Sequence, residues 1–274
     1  MSGTSAETDS LPAWRVVDVP AAACLRSAVF LGRRGGVSIG PFASLNLSCA
    51  VGDHAPSVRE NWRRVRHAFP QVRHWVRMRQ VHGNAVRVVT AQDLDARFEC
   101  DALVTDCVEV ALCVLTADCV PLLLATASAG PVAAVHAGWR GTVAHVATRT
   151  LEVLHRRYGV SPADVWVALG PAVGPCCYEV REDVVTALAG AGLERAVVAQ
   201  VGDRFRVDLR AANRLCLELA GVPPEQMVTV AGCTACSRDD FFSYRRDGAR
   251  TGRQLSFIAL EGPKNLLGRQ ADRG

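Results

Sequence analysis

Between Val110 and Thr126 the chain reads VALCVLTADCVPLLLAT, and this stretch constrains the fold more than any other. Val110–Leu115 and Val120–Ala125 carry no charge and are rich in Val and Leu, so each reads as a short buried strand. Between them stand Thr116, Ala117, Asp118 and Cys119. One explanation of the break is a plain turn, with Asp118 bonding its own backbone. The other is that the break presents Cys119 to a chemical site.

The same reasoning places further elements on both sides. Val16–Leu31 has room for strands, and the Gly- and Ser-rich stretch Gly32–Leu47 reads as an irregular loop. Strands are expected at Ala85–Val89, Ala102–Thr105, Val132–Val135, Val165–Leu169, Met227–Val230 and Arg253–Leu260. Helices are expected at Ser57–Phe69, Glu182–Ala189, Leu209–Ala220 and Thr142–Tyr158, the last stopped by Gly159. Strands and helices alternate irregularly, which predicts a mixed α/β class. No repeat or linker divides the chain. The reading is one domain over residues 13–262, preceded by a disordered lead-in at 1–12 and followed by a polar, frayed tail at 263–274.

Composition narrows the function classes. No run of about 18 apolar residues occurs, and the acidic, polar start lacks the basic and apolar regions of a signal peptide. A cytoplasmic protein away from membranes is expected. The net charge is +4, and Lys264 is the only lysine. The densest basic stretch, Arg59–Arg79, reads as an amphipathic helix followed by a loop, so a solvated face is preferred to a nucleic-acid patch. Eleven cysteines, an odd number, argue against a disulfide framework. Cys24, Cys107, Cys113 and Cys216 sit in apolar surroundings, as buried reduced thiols do.

Three polar signals share a local context. RQVHGNAV sets His82 before Gly83 and a strand, LTADCVPLLL sets Cys119 between strands, and VAAVHAGWRGTV sets His136 at a strand end before a turn and a helix. Strand ends hold side chains firmly while the adjoining loops admit substrate. Two imidazoles and a thiolate suit zinc and leave a fourth position open. Their separations, 37 and 17 residues, match no local zinc motif, and singly each is explained as core filling. A second chemistry is equally available: Cys119 as nucleophile, His82 or His136 as base, Asp118 as orienter. In HAGWRGT, Gly138 and Gly141 permit close backbone approach. Arg140 beside a helix start near Thr142 suits an anion. LGPAVGPCCYEV reads as a structural turn, because the adjacent Cys176 and Cys177 do not easily share one ion. Cys233 and Cys236 form an isolated CxxC, weak on its own.

RQVHG, DALVTD, LTADCVPLLL, VHAGWRGT, LGPAVGPCCYEV and FFSYRRDGARTGRQLSFIAL, in this order, resemble the YfiH or laccase-domain family from about Gly35 to Leu260, and GGVSIGPFASLNLSCAVGD also fits. The resemblance implies that His82, Cys119 and His136 bind Zn2+. It implies mixed sheets flanked by helices, related to toxin-type cysteine hydrolase folds. It also implies action on purine nucleosides: phosphorolysis of adenosine, inosine and methylthioadenosine, and deamination of adenosine. Phosphate would then need arginines, for which Arg140 and Arg245 are the candidates. Three alternatives remain beside it. One is a Cys-dependent hydrolase or amidase acting on cell-wall peptide precursors. Another is copper-dependent phenol oxidation, weakened by the absence of a dense His–Cys–Met pattern. The third is a non-enzymatic partner-binding module.

Overall fold

A computed structural model describes residues 13–17, 26–126 and 130–260. The lead-in at 1–12, the tail at 263–274 and Cys24 lie outside these. In chain order the strands are β1 Ala13–Val17, β2 Arg26–Leu31, β3 His74–Arg79, β4 Val86–Val88, β5 Phe98–Glu99, β6 Ala102–Thr105, β7 Val110–Thr116 and β8 Val120–Thr126. They continue as β9 Val132–Ala137, β10 Val165–Leu169, β11 Glu179–Val180, β12 Val197–Val201, β13 Arg204–Val207, β14 Met227–Thr229 and β15 Gln254–Leu260. The helices are α1 Ala55–Ala68, α2 Trp139–Val143, α3 Val146–Tyr158, α4 Glu182–Gly190, α5 Leu209–Leu219 and α6 Tyr244–Asp247.

Two six-stranded mixed sheets form the body, ordered β1-β2-β15-β7-β3-β5 and β14-β10-β8-β9-β6-β4, beside a small sheet β11-β13-β12. The expected pair of strands in VALCVLTADCVPLLLAT is present, but β7 and β8 are not sheet neighbours. β7 pairs with β15 and β3 in the first sheet, whereas β8 pairs with β9 and β10 in the second. The Ala117–Cys119 break is where the chain crosses from one sheet to the other.

Side-chain alternation explains why both strands are apolar throughout. Val110, Leu112 and Val114 of β7 meet Leu123 and Ala125 of β8 in the layer between the sheets. Ala111 and Cys113 point the other way, onto Val58, Trp62 and Val65 of α1. Leu122 and Leu124 face Leu151 and Leu154 of α3 and Leu217 of α5. The result is four layers, helix–sheet–sheet–helix, with mixed sheets flanked by helices as expected from the sequence.

Several local expectations are corrected. The helix expected over Thr142–Tyr158 is two helices, α2 and α3, because His145 adopts a left-handed φ of 56°. Its imidazole meets the Cys216 thiol at 3.6 Å, and the Ala144 carbonyl accepts from the Asn84 amide at 2.9 Å. These outside contacts fasten the break. The basic stretch Arg59–Arg79 does not end as a loop: residues 74–79 form β3, whose parallel pairing with β7 is a long-range event. The β11, β12 and β13 strands were not anticipated; they form a small separate sheet, and β12 is largely exposed despite its apolar composition.

Candidate active site and metal centre

Three segments converge where β7 ends. Gln80 fixes the first, its side-chain amide accepting from the Leu115 N–H at 2.9 Å and donating to the Leu115 carbonyl at 2.8 Å. This sets His82 beside the sheet crossing that carries Cys119. β9 brings His136 alongside, at Pro121 in register. The donor atoms of His82, Cys119 and His136 all lie within 4.8 Å of one another, with Cys119 Sγ 3.9 Å from His82 Nε2. The two imidazoles stand edge to face, their centroids 4.8 Å apart. The three residues therefore meet, as the sequence reading anticipated.

Asp101, to which sequence reasoning assigned no role, organises the group. It is fully buried just before the apolar β6. Its carboxylate accepts from the backbone N–H groups of Val81 at 3.3 Å, His82 at 3.0 Å and Gly83 at 2.7 Å. It also bonds His136 Nδ1 at 2.8 Å, so Nε2 is the nitrogen of that ring turned toward Cys119. A carboxylate behind an imidazole is the usual support of a metal-binding histidine, and equally of a catalytic base. The signal in the sequence was an acid heading the otherwise apolar run DALVT.

Asp118 does not orient either histidine, contrary to one sequence expectation. Its carboxylate accepts from Thr234 Oγ1 at 2.6 Å and from the Arg245 N–H at 2.5 Å, and its carbonyl accepts from the Val173 N–H at 3.0 Å. It ties three loops to the sheet crossing, with its own φ held at 104°. The helix start expected near Thr142 also moves: the Thr142 N–H is already bonded to the Gly138 carbonyl inside the short α2.

The electrostatics are those of a thiolate–imidazolium pair. Burial pushes the Cys119 thiol up, but the His136 charge and hydrogen bonds from both imidazoles more than reverse this and bring it to about 6. Burial likewise opposes the charge on His136, yet the Cys119 thiolate and the Asp101 carboxylate raise it to about 9. Gly138 lies against the pair. A Cβ there would come to 3.0 Å from both Cys119 Sγ and His82 Cδ2, so any side chain at this position would press on both residues.

A cavity of about 500 Å³ opens over the three donors. Arg140 and Arg245 both line it, as do Trp139, Tyr178, Tyr244 and Arg253. Arg245 donates to the Glu179 carbonyl at 2.9 Å and lies 5.1 Å from the Tyr178 ring; Arg140 stacks on Trp139 at 4.3 Å. Thr116 Oγ1, also in the lining, is buried without a hydrogen-bond partner among the described residues. Arg253, just before β15 within the motif FFSYRRDGARTGRQLSFIAL, was read only as part of a strand, because nothing in that motif says which of its arginines faces the cavity. A larger hollow of about 600 Å³, lined by Arg33, Arg34 and Arg238, holds no His or Cys, and Arg33 there is spent on the Ala43 and Arg238 carbonyls.

A sequence-family profile described as multi-copper polyphenol oxidoreductase laccase matches residues 27–261. The chain belongs to this family. Within the laccase-like family it is 41% identical over 239 residues to the purine nucleoside phosphorylase YlmD of Geobacillus stearothermophilus, covering 82% of this chain and 87% of that one. It is 44% identical over 233 residues to a purine nucleoside phosphorylase of Deinococcus radiodurans, covering 84% and 88%. The crystal structure of a Bacillus licheniformis hypothetical protein YfiH superposes with a TM-score of 0.81 at 33% identity, covering 89% of this chain and 98% of that one.

Imidazole and thiolate donors, gathered beside a cavity and braced by Asp101, fit a metal ion. Two imidazoles and a thiolate also form the trigonal set of blue-copper centres, but those add a distant axial thioether, and no methionine lines this cavity. The fit is better for an ion that keeps one position open to a ligand.

Proposed function

We propose that this chain is a zinc-dependent purine nucleoside phosphorylase that also deaminates adenosine. The observation that carries the reading is the convergence of His82, Cys119 and His136 under a cavity lined by arginines and aromatic rings. The two relatives named purine nucleoside phosphorylase, 41% and 44% identical to this chain, support the substrate class. When bound, zinc supplies Lewis acidity and brings the ionisation of water down to about pH 7.

The chain's own residues account for the rest. Arg140, Arg245 and Arg253 supply guanidinium forks for phosphate, each already steadied by an aromatic face or a backbone carbonyl. Trp139, Tyr178 and Tyr244 offer flat apolar surface to a purine. The unpartnered Thr116 hydroxyl suits a ribose oxygen. In phosphorolysis a phosphate oxygen bonds C1′ as the C1′–N9 bond breaks, and the purine leaves with the bonding pair and a proton. In deamination water adds at C6 and ammonia departs, so adenosine gives inosine.

The test is a substrate screen by mass spectrometry on protein carrying its native metal. Free purine and ribose 1-phosphate from adenosine, inosine or methylthioadenosine, and inosine from adenosine without phosphate, are the expected products. Absence of any base release with phosphate present sinks the phosphorylase.

A second reading has one specific observation behind it. Asp101, His136 and Cys119 also make an acid–imidazole–thiol series with a thiol brought to about 6, as a cysteine hydrolase or amidase would use. Chelation separates the two. Zinc chemistry is lost on removing the metal and returns with it, whereas a thiol nucleophile survives chelation and is killed by alkylation.

A further inference from the structure

The sequence reading set Cys176 and Cys177 aside as a turn and Cys233 and Cys236 as an isolated pair. The fold joins them. β10 and β14 are parallel neighbours, and the loops that follow run side by side. Ala172 bridges to Cys233, and the Thr234 N–H donates to the Ala172 carbonyl at 3.1 Å. All four sulfurs then lie within 4.8 Å of one another, with Cys236 Sγ 3.3 Å from Cys177 Sγ and 3.6 Å from Cys176 Sγ.

Two adjacent cysteines reach one point because the chain coils tightly there. The Cys177 and Tyr178 N–H groups both donate to the Gly174 carbonyl at 3.0 Å. The Gly174 N–H in turn donates to Cys233 Sγ at 3.2 Å, as a backbone amide does to a metal-bound thiolate. A Cβ at Gly174 would come to 3.3 Å from both Cys176 Sγ and Cys233 Cβ, so a bare backbone lets the two loops close.

From these contacts we propose that Cys176, Cys177, Cys233 and Cys236 form a second metal site that binds Zn2+ through four thiolates. Zinc–sulfur bonds of about 2.3 Å put the corners of a tetrahedron about 3.8 Å apart, which is the scale of this cluster. A disulfide needs sulfurs at about 2.05 Å and would leave two thiols crowded against it. Binding converts four thiols to thiolates and releases four protons, so the site takes up metal more tightly as pH rises. All four coordination positions are filled by protein, so the site is structural.

Its place in the fold says what it steadies. Thr234, inside the CxxC loop, is the hydroxyl that bonds Asp118, and Val173, beside the coil at Gly174, holds the Asp118 carbonyl. Tyr178, next to Cys177, lines the cavity. Arg246 donates to the carbonyls of Thr234 at 2.8 Å and Ala235 at 3.2 Å. Zinc here clamps the two loops that back the Asp118–Cys119 crossing, and it shares no ligand with His82, Cys119 and His136.

The experiment uses full-length protein purified without air under reducing conditions. In a His82→Ala/His136→Ala variant, one zinc per chain should remain. Its X-ray absorption should report four sulfurs, and cobalt exchanged into it should show tetrahedral tetrathiolate bands. Adding Cys233→Ser and Cys236→Ser should remove that zinc and those bands. If the serine variant does not fold, the sulfur count and cobalt spectrum of the histidine variant decide alone. Metal-free histidine variant, a shell containing nitrogen, iron or copper in place of zinc, or a disulfide among the four cysteines in the airless preparation would each overturn the proposal. Because the first site is deleted throughout, failure of the nucleoside reading leaves this outcome unchanged.

Discussion

Asp101 decides how His82, Cys119 and His136 behave. It holds the backbone around one histidine and the ring of the other, so both imidazoles are aimed before any ligand arrives. In metal-free protein the Cys119 thiolate should persist far below the ordinary thiol value of 9.0. Its alkylation rate by iodoacetamide should rise with a midpoint near pH 6, and His136→Ala should move that midpoint upward. A midpoint unchanged by the variant would deny the ion pair. Stability follows in sign. The Cys119 share is complete above 9.0 and is lost as pH falls through about 6. The His136 share is complete below 6.5 and is lost as pH rises through about 9. Asp101→Asn keeps the shape but removes the negative charge that helps raise His136. It should lower metal affinity by roughly 10- to 100-fold, measured by competition with a chromophoric chelator.

At the scale of elements, the crossing from β7 to β8 is fastened by Asp118 and covered by Gly138. Removing the Asp118 carboxylate leaves the Thr234 hydroxyl and the Arg245 N–H without their acceptor. Asp118→Ala should cost about 3 kcal/mol of unfolding free energy, read by urea titration, whereas a surface acid changed likewise costs little. Gly138→Ala should leave the melting temperature nearly in place but impair metal binding, because the new methyl meets Cys119 and His82. Wild-type metal content in that variant would contradict the close approach. The helix break at His145 belongs to the same scale. It turns α2 independently of α3, so Trp139 and Arg140 face the cavity while Leu151 and Leu154 face the sheet.

Across the whole molecule, the two sheets and their helices form the platform that these elements share. Phe257 is fully buried between the first sheet and α1, with Phe69 and Trp75 each 4.9 Å away, centroid to centroid. Phe257→Ala should cost about 3–5 kcal/mol, measured by denaturant unfolding. It lies on the outer face of the first sheet, so metal stoichiometry of the folded fraction should be unchanged. Chelation of the whole enzyme remains the decisive functional measurement. Full nucleoside turnover by rigorously metal-free protein would end the zinc mechanism.

What the sequence determined by itself was the local and the repetitive. Strand runs such as Val165–Leu169 and helices such as Leu209–Leu219 were legible because their apolar spacing and end signals act within a few residues. His82, Cys119 and His136 stood out as unusual polar residues at strand ends, and the family resemblance joined them. Tertiary structure alone decided that β7 and β8 lie in different sheets, since a strand's partner depends on distant chain. It chose Asp101 over Asp118 as the support of His136, because a hydrogen bond 35 residues away in sequence leaves no local pattern. It also gathered Cys176 and Cys177 with Cys233 and Cys236. Only the parallel pairing of β10 with β14 brings those two loops together, and nothing in either loop's own sequence encodes that encounter.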